Sequence, residues 1–229
     1  MFVIRFALLS SLFYALNVSM IPLIYTLEVS AFLFLFIRFG TTFFTSLVIT
    51  KSLFSYNKIK QQKLGLWVLI LSLLFGVQSW LYVEAVKYMS VGLASVVLFT
   101  YPLITYLIVS LNSRRKLDVS TILMFLLAII GIAAISQSED GFYTMAIGIV
   151  LAILSAISYS LILIITPKMS ALKNWEIVKY TSLIPALGFL YLFLNETSFY
   201  WPGNQALILS LVSGVFFATG MLFYHISVK

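Results

Sequence analysis

The chain has 229 residues, 62% of them hydrophobic and 9% charged, with a mean hydropathy of +1.10. So little polar surface cannot cover a water-soluble globule, which places the chain in a bilayer. There is no Cys, which excludes disulfides, thiol catalysis and thiolate metal sites, and the net charge of +7 has to be explained by where the basic residues fall.

A membrane span needs about 20 mostly apolar residues to cross about 30 Å of hydrocarbon. Breaks at charged and turn-forming residues predict eight such stretches, near 3–25, 30–50, 64–86, 91–111, 119–136, 145–167, 177–194 and 205–225. The first is too long for a signal-peptide core and has no small-residue cleavage pattern at its end. It is expected to be a retained helix, with the protein starting at or near Met1. It carries Ser10, Tyr14 and Asn17 at i, i+4 and i+7, a polar line along one face.

The second span holds Arg38 near its middle, followed by Thr41, Thr42 and Thr45 on the same face. A charge at the bilayer centre costs between about 2.5 and 17 kcal/mol, so Arg38 should face protein or a water-filled cavity. Either it lines a solute path and attracts an anionic group, or it pairs internally and fixes helix packing. On the third span Gln78 and Tyr82 are one turn apart. Glu84, near the outer end, is either a proton-coupling carboxylate or an ordinary headgroup-level charge. The fourth span brings Gly92 and Ser95, which permit close helix approach, and Thr100 beside Pro102.

The sixth span carries Ser155, Ser158, Tyr159 and Thr166. In the seventh, Lys179 lies about one turn inside the boundary, where a long amine snorkels to water. Ser210, Gly214 and Ala218 form a small-residue ridge on the eighth. Pro22, Pro102, Pro167 and Pro185 interrupt hydrogen-bond ladders within or at the ends of spans, as hinges or as static kinks. Tyr88, Tyr143, Trp175, Tyr200 and Trp201 fall at span ends, where amphipathic rings anchor to headgroups. The single His, His225, lies near the C-terminal end, and Asp118 and Asp140 lie in loops. Aspartate-pair proteolysis, histidine-ligated haem and zinc hydrolysis lack their groups. No enzyme activity and no cofactor or metal are expected; a membrane-embedded lipid or isoprenoid transferase would need clustered Asp, His or Glu around a metal.

Residues 154–167, LSAISYSLILIITP, repeat residues 9–22, LSSLFYALNVSMIP, at an offset of 145, with Tyr14 aligned to Tyr159 and Pro22 to Pro167. Five expected spans precede residue 145, so the sixth enters the membrane from the opposite side and the repeat is inverted, a signature of secondary transporters. Basic residues give an independent reading of topology, because Lys and Arg are retained on the cytoplasmic side. With a cytoplasmic N-terminus, inside segments hold Arg5, Lys51, Lys58, Lys60, Lys63, Arg114, Arg115, Lys116, Lys168, Lys173 and Lys229, and outside segments hold only Lys87. The positive charge is thus a topology signal, and no nucleic-acid partner is expected.

The stretch VEAVKYMSVGLASV (83–96) leads into a Gly/Ala/Ser-rich helix centred on Pro102. It resembles the junction of spans three and four in the EamA-like branch of the drug/metabolite transporter superfamily. IRF at 37–39 is similar to the Arg-bearing start of that family's second span, and LAIIGIAAI (127–135) to the end of its fifth. The resemblance covers most of residues 1–136, with the second unit following more weakly. It implies an all-α polytopic bundle of ten spans in two inverted five-helix repeats, exporting or exchanging small polar metabolites by alternating access. The expected organisation is a first repeat at 1–140 and a second at 141–229 carrying three helices.

Two departures stand out. NSRRKLD places a basic residue, Arg115, where the family has a Glu after the fourth span. TGMLFYHISVK at 219–229 aligns with the end of the third span only as far as Lys229 against Lys87. Counterparts of about 58 residues, two helices, are not in the sequence. Either this is a shortened product, transporting or not, or two copies dimerise to complete the bundle. The expected setting is the bacterial cytoplasmic membrane, with the lipid bilayer and a small-molecule solute as partners. The candidate solute-lining residues are Tyr14, Asn17, Arg38, Gln78, Tyr82, Thr100 and Tyr159.

Overall fold

The computed structural model describes residues 2–50, 64–113, 142–196 and 202–228, together with Val119, Ser120, Leu123, Leu126, Leu127, Ile130 and Gly131. The regular elements among them are helical: α1 (Phe2–Thr26), α2 (Ala31–Thr50), α3 (Gly65–Ala85), α4 (Val91–Leu98), α5 (Tyr101–Asn112), α6 (Phe142–Ile165), α7 (Asn174–Leu194) and α8 (Asn204–Val228), with a 3-10 turn at Thr166–Met169. Seven candidate spans result among the described residues, α4 and α5 together making one. The expected span at 119–136 falls mostly outside the described residues; the seven residues of it that are described are helical. Lys51, Lys58, Lys60, Lys63, Arg114, Arg115, Lys116, Asp118, Asp140, Tyr200, Trp201 and Lys229 also lie outside them.

The fourth expected span is two helices rather than one. Pro102 has no amide hydrogen to give to the carbonyl four residues back, so the ladder stops at Leu98 and a new one starts at Tyr101. Thr100 sits at the break. Its hydroxyl donates to the Val97 carbonyl at 2.8 Å, and its own carbonyl accepts from both Leu103 and Ile104. Ser90 caps α4 by accepting from the Leu93 amide. Pro22 and Pro185, by contrast, lie inside continuous helices. Glu28 turns the chain between α1 and α2 with a positive φ of 56°.

The chain divides into two compact units. Unit one is Met1–Gly76 with Ile165–Lys229, and unit two is Val77–Ile164. Because lipid tails are as apolar as Leu, helices in a bilayer associate through close packing and hydrogen bonds rather than by hiding from water. Unit one shows both devices. Ser10 donates to the Gly220 carbonyl at 2.8 Å, and the Asn17 amide donates to the Ser213 carbonyl at 2.8 Å and to the Ser213 hydroxyl at 2.7 Å. The donors are seven residues apart on α1 and the acceptors seven apart on α8 in the reverse sense, so the two helices run antiparallel in fixed register. α2 meets α8 at Gly214, where an added Cβ would lie 2.8 Å from Thr41 Cβ. The small-residue ridge of Ser210, Gly214 and Ala218 is therefore a contact surface, with Ser210 and Ala218 fully buried. At the other end of α2, Ser30 donates to Glu196 Oε1 at 2.8 Å. In α3, Ser72 donates to the Tyr180 carbonyl at 3.2 Å and Gly76 packs on Pro185, which fixes α3 against α7.

Unit two repeats the pattern. Ser155 of α6 donates to the Gln78 carbonyl at 2.9 Å. About two turns back along α6, Gly148 lets the helix approach Ala85, Tyr88 and Met89 within 3.1–3.2 Å of where a Cβ would stand. α3 and α6 are thus also antiparallel.

One charged residue departs from expectation. Lys179 does not snorkel: it is fully enclosed by protein at 0% exposure, with its amine 5.3 Å from the Tyr180 ring centre. The reason is that α7 begins at Asn174, earlier than the apolar pattern suggests. The Glu176 carboxylate accepts the Lys173 amide at 2.8 Å and so starts the helix three residues sooner. Glu176, itself 6% exposed, is accordingly a buried carboxylate of the span. Glu84 instead forms a 2.7 Å ion pair with Lys87 at the end of α3, in keeping with an ordinary end charge.

Candidate functional site

The seven residues expected to line a solute path fall into two groups, one in each unit. In unit one, α1 supplies Tyr14 and Asn17 and α2 supplies Arg38. The residue that joins them is Phe217 of α8. Arg38 is 4% exposed, and its guanidinium carbon lies 4.2 Å above the Phe217 ring centre, with Phe34 and Phe39 at 5.6 and 5.7 Å. A desolvated cation over an aromatic face gains about 2 kcal/mol or more, and this offsets part of the cost of holding a charge in the span. Tyr14, half-buried, meets the same ring edge-on at 5.8 Å. Phe39 meets it edge-on at 5.4 Å and stacks on Phe189 of α7 at 5.9 Å. Asn17 reaches α8 one turn away at Ser213. Thr42, fully buried, returns its hydroxyl to the Arg38 carbonyl at 2.8 Å rather than offering it outward.

This cluster combines a fixed positive charge, a neutral amide and a phenol with three phenylalanine faces around the charge. It suits a carboxylate or phosphate bearing a small polar body, because a guanidinium binds such groups through several donors at once. Phe217 was not among the expected residues. An aromatic in an apolar helix carries no mark of its own, and only its four-residue spacing from Ser213, opposite Asn17, sets it on the same face.

Unit two holds the uncharged Gln78, Tyr82, Thr100 and Tyr159, of which Thr100 turns its hydroxyl back to Val97 in its own segment. Gln78 donates to the Ser155 hydroxyl at 3.2 Å, and Tyr82 shares a 2.8 Å hydrogen bond with Ser95. Gln78 and Tyr82 are 8% and 3% exposed. Tyr159 stands edge-on to Tyr101 with ring centres 4.6 Å apart, and Ser160 donates to the Tyr101 carbonyl at 2.9 Å, one residue beyond the helix break at Thr100. Ser95, Ser155 and Tyr101 thus belong with the expected four. Among the described residues, no group of three His, Cys, Asp or Glu is placed to hold a metal ion.

The family model of EamA-like transporters matches residues 1–137. The chain belongs to the EamA-like transporter family. The comparison with curated proteins found no match. The matched segment contains six of the seven candidate residues, Tyr159 lying beyond it. This EamA-like chain is an integral membrane protein by the seven long apolar helices among its described residues, and its family is one of transporters rather than enzymes.

Proposed function

We propose that this EamA-like protein moves small polar metabolites across a bacterial cytoplasmic membrane, as an exporter or exchanger working by alternating access, with its N-terminus in the cytoplasm. The observation that carries the reading is Arg38. A guanidinium held at 4% exposure inside a membrane span, over the Phe217 ring that Tyr14 also meets, is an expensive arrangement with a clear use: pairing with an anionic or zwitterionic solute. Gln78, Tyr82, Thr100 and Tyr159 of unit two are the neutral hydrogen-bonding groups of this reading.

Two inverted repeats, at 1–140 and 141–229, fit this mechanism. Ser10 and Ser155 are equivalent in the repeat, and so are Gln78 and Gly220 when Lys87 is aligned with Lys229. Ser10 donates to the Gly220 carbonyl and Ser155 to the Gln78 carbonyl. Each repeat's first helix therefore makes the same bond to the other repeat's third, a local likeness expected of inverted repeats, and such repeats underlie alternation between inward- and outward-facing states. The basic residues supply the orientation.

The test uses everted membrane vesicles given a uniformly 13C-labelled whole-cell metabolite extract, with mass spectrometry of the vesicle contents. One or more small polar compounds should accumulate above empty-vector vesicles and lose that accumulation in Arg38→Ala, with equal amounts of protein in the membrane. If no labelled compound accumulates with the wild-type protein inserted, the chain is a non-transporting membrane protein.

A further inference from the structure

An acid, an amine and an imidazole are buried in unit one away from the Arg38 cluster. Glu176 and Lys179 stand one turn apart on α7 at 6% and 0% exposure, and His225 of α8 is 1% exposed. α3 links Lys179 and His225, with Glu176 one turn further along α7 on the side away from Phe75. Ser72 bonds the Tyr180 carbonyl, next to Lys179, and Phe75, one turn further on the same helix, packs against the His225 ring at 6.4 Å between centres. α7 and α8 also touch directly. One acid, one amine and one imidazole thus share a small region of low dielectric inside the spans. There each charge alters the protonation of its neighbours far more than it would in water, and ionisable groups inside membrane spans commonly mark ion or proton paths.

We propose that Glu176, Lys179 and His225 form a proton site of this transporter; the proposal rests on the transport reading for its use but not for its chemistry. With Glu176 ionised and Lys179 charged, the cluster is neutral while the His225 imidazole is neutral. A proton taken from water onto an imidazole nitrogen raises its charge by one, and loss of one proton from the Lys179 ammonium restores neutrality. The site therefore holds either of two proton arrangements at equal total charge. Among the described residues, the other titratable or charged groups on these helices are Tyr180 and the exposed Tyr191 on α7 and Tyr224 on α8. α2 brings Arg38, α1, which packs on α8, brings Arg5, Tyr14 and Tyr25, and the segment leading into α7 brings Lys168 and Lys173. The Gly65–Gly76 part of α3 brings none.

The chain has one histidine, so histidine-labelled protein in lipid nanodiscs gives a nuclear magnetic resonance titration that reports His225 alone, without any solute. Lys179→Met removes a neighbouring positive charge and should raise the His225 midpoint by about one pH unit. Glu176→Gln keeps an acceptor for the Lys173 amide, removes a negative charge, and should lower the midpoint. Opposite shifts support the site. Coincident midpoints, shifts of the same sign, or an imidazole that fails to titrate between about pH 5 and 8 in all three proteins would overturn it. If Lys179→Met does not fold, the downward shift in Glu176→Gln decides alone. Because no flux is measured, these results stand apart from the vesicle experiment: transport without the shifts removes the proton site only.

Discussion

The Arg38 guanidinium rests on the Phe217 ring at 4.2 Å, so the charge of α2 is held by an aromatic face of α8. Ring and charge should therefore respond differently to substitution. Phe217→Leu keeps bulk but loses the electrostatic attraction, about 2 kcal/mol for a desolvated pair. It should lower the melting temperature of the purified protein by several degrees. Phe217→Tyr keeps the aromatic face and should melt within a degree or two of wild type. Equal melting of the leucine variant and wild type would show that the ring does not hold the charge.

Arg38→Lys is a sharper probe of solute recognition than Arg38→Ala. Lysine preserves the charge but not the planar fork of donors. If Arg38 grips a carboxylate or phosphate through two donors, Arg38→Lys vesicles should accumulate labelled metabolites at least tenfold less than wild type while insertion is unchanged. Full activity of the lysine variant would reduce the role of Arg38 to that of a point charge.

Asn17 makes two hydrogen bonds across to Ser213, and Ser10 one to Gly220. Interhelical bonds of this kind contribute roughly 0.6 to 2 kcal/mol each in membranes. Asn17→Ala should therefore destabilise more than Ser10→Ala, and the double variant should come close to the sum of the two, since the bonds are two turns apart. Denaturation in graded detergent mixtures measures all three.

At Gly214 an added methyl group would meet Thr41 Cβ at 2.8 Å, whereas at Gly188 it would meet nothing within 4 Å. Gly214→Ala should lower thermal stability because α2 has to move away, and Thr41→Gly in the same chain should restore part of the loss. Gly188→Ala should be neutral or slightly stabilising, since alanine is the better helix former.

Glu84 pairs with Lys87, which is 40% exposed, at the end of α3. Exposed pairs contribute about 0–1 kcal/mol. Glu84→Gln should leave both stability and the pH profile of vesicle accumulation nearly unchanged, in contrast to Glu176→Gln. A flattened pH profile in Glu84→Gln would move the proton site to the opposite end of α3.

The positions of seven spans and the membrane setting were readable because a span leaves about 20 apolar residues in a row. The break at Leu98 was less so: Pro102 signals a missing bond, but whether a helix bends or restarts depends on its neighbours. Lys179 was misread because charge near a span end usually means access to water. The Glu176 cap that draws it inward is a contact with a backbone amide that hydropathy does not register. The pairing of Arg38 with Phe217 was hidden for a different reason. The two residues lie in spans far apart in sequence, and their meeting depends on Thr41 and Gly214 allowing α2 and α8 to approach. The grouping of helices in space was likewise not visible, since the units combine α1 with α8 and α3 with α6, which join opposite halves of the chain.

The antiparallel bond pair Ser10–Gly220 and Asn17–Ser213 has a topological corollary. If α1 leaves one face of the membrane, α8 must come back to it, so Phe2 and Val228 open onto the same compartment. The path from one to the other then crosses an even number of times, a parity that eight spans satisfy. Reporter enzymes fused before Phe2 and after Val228 should be silent or active together.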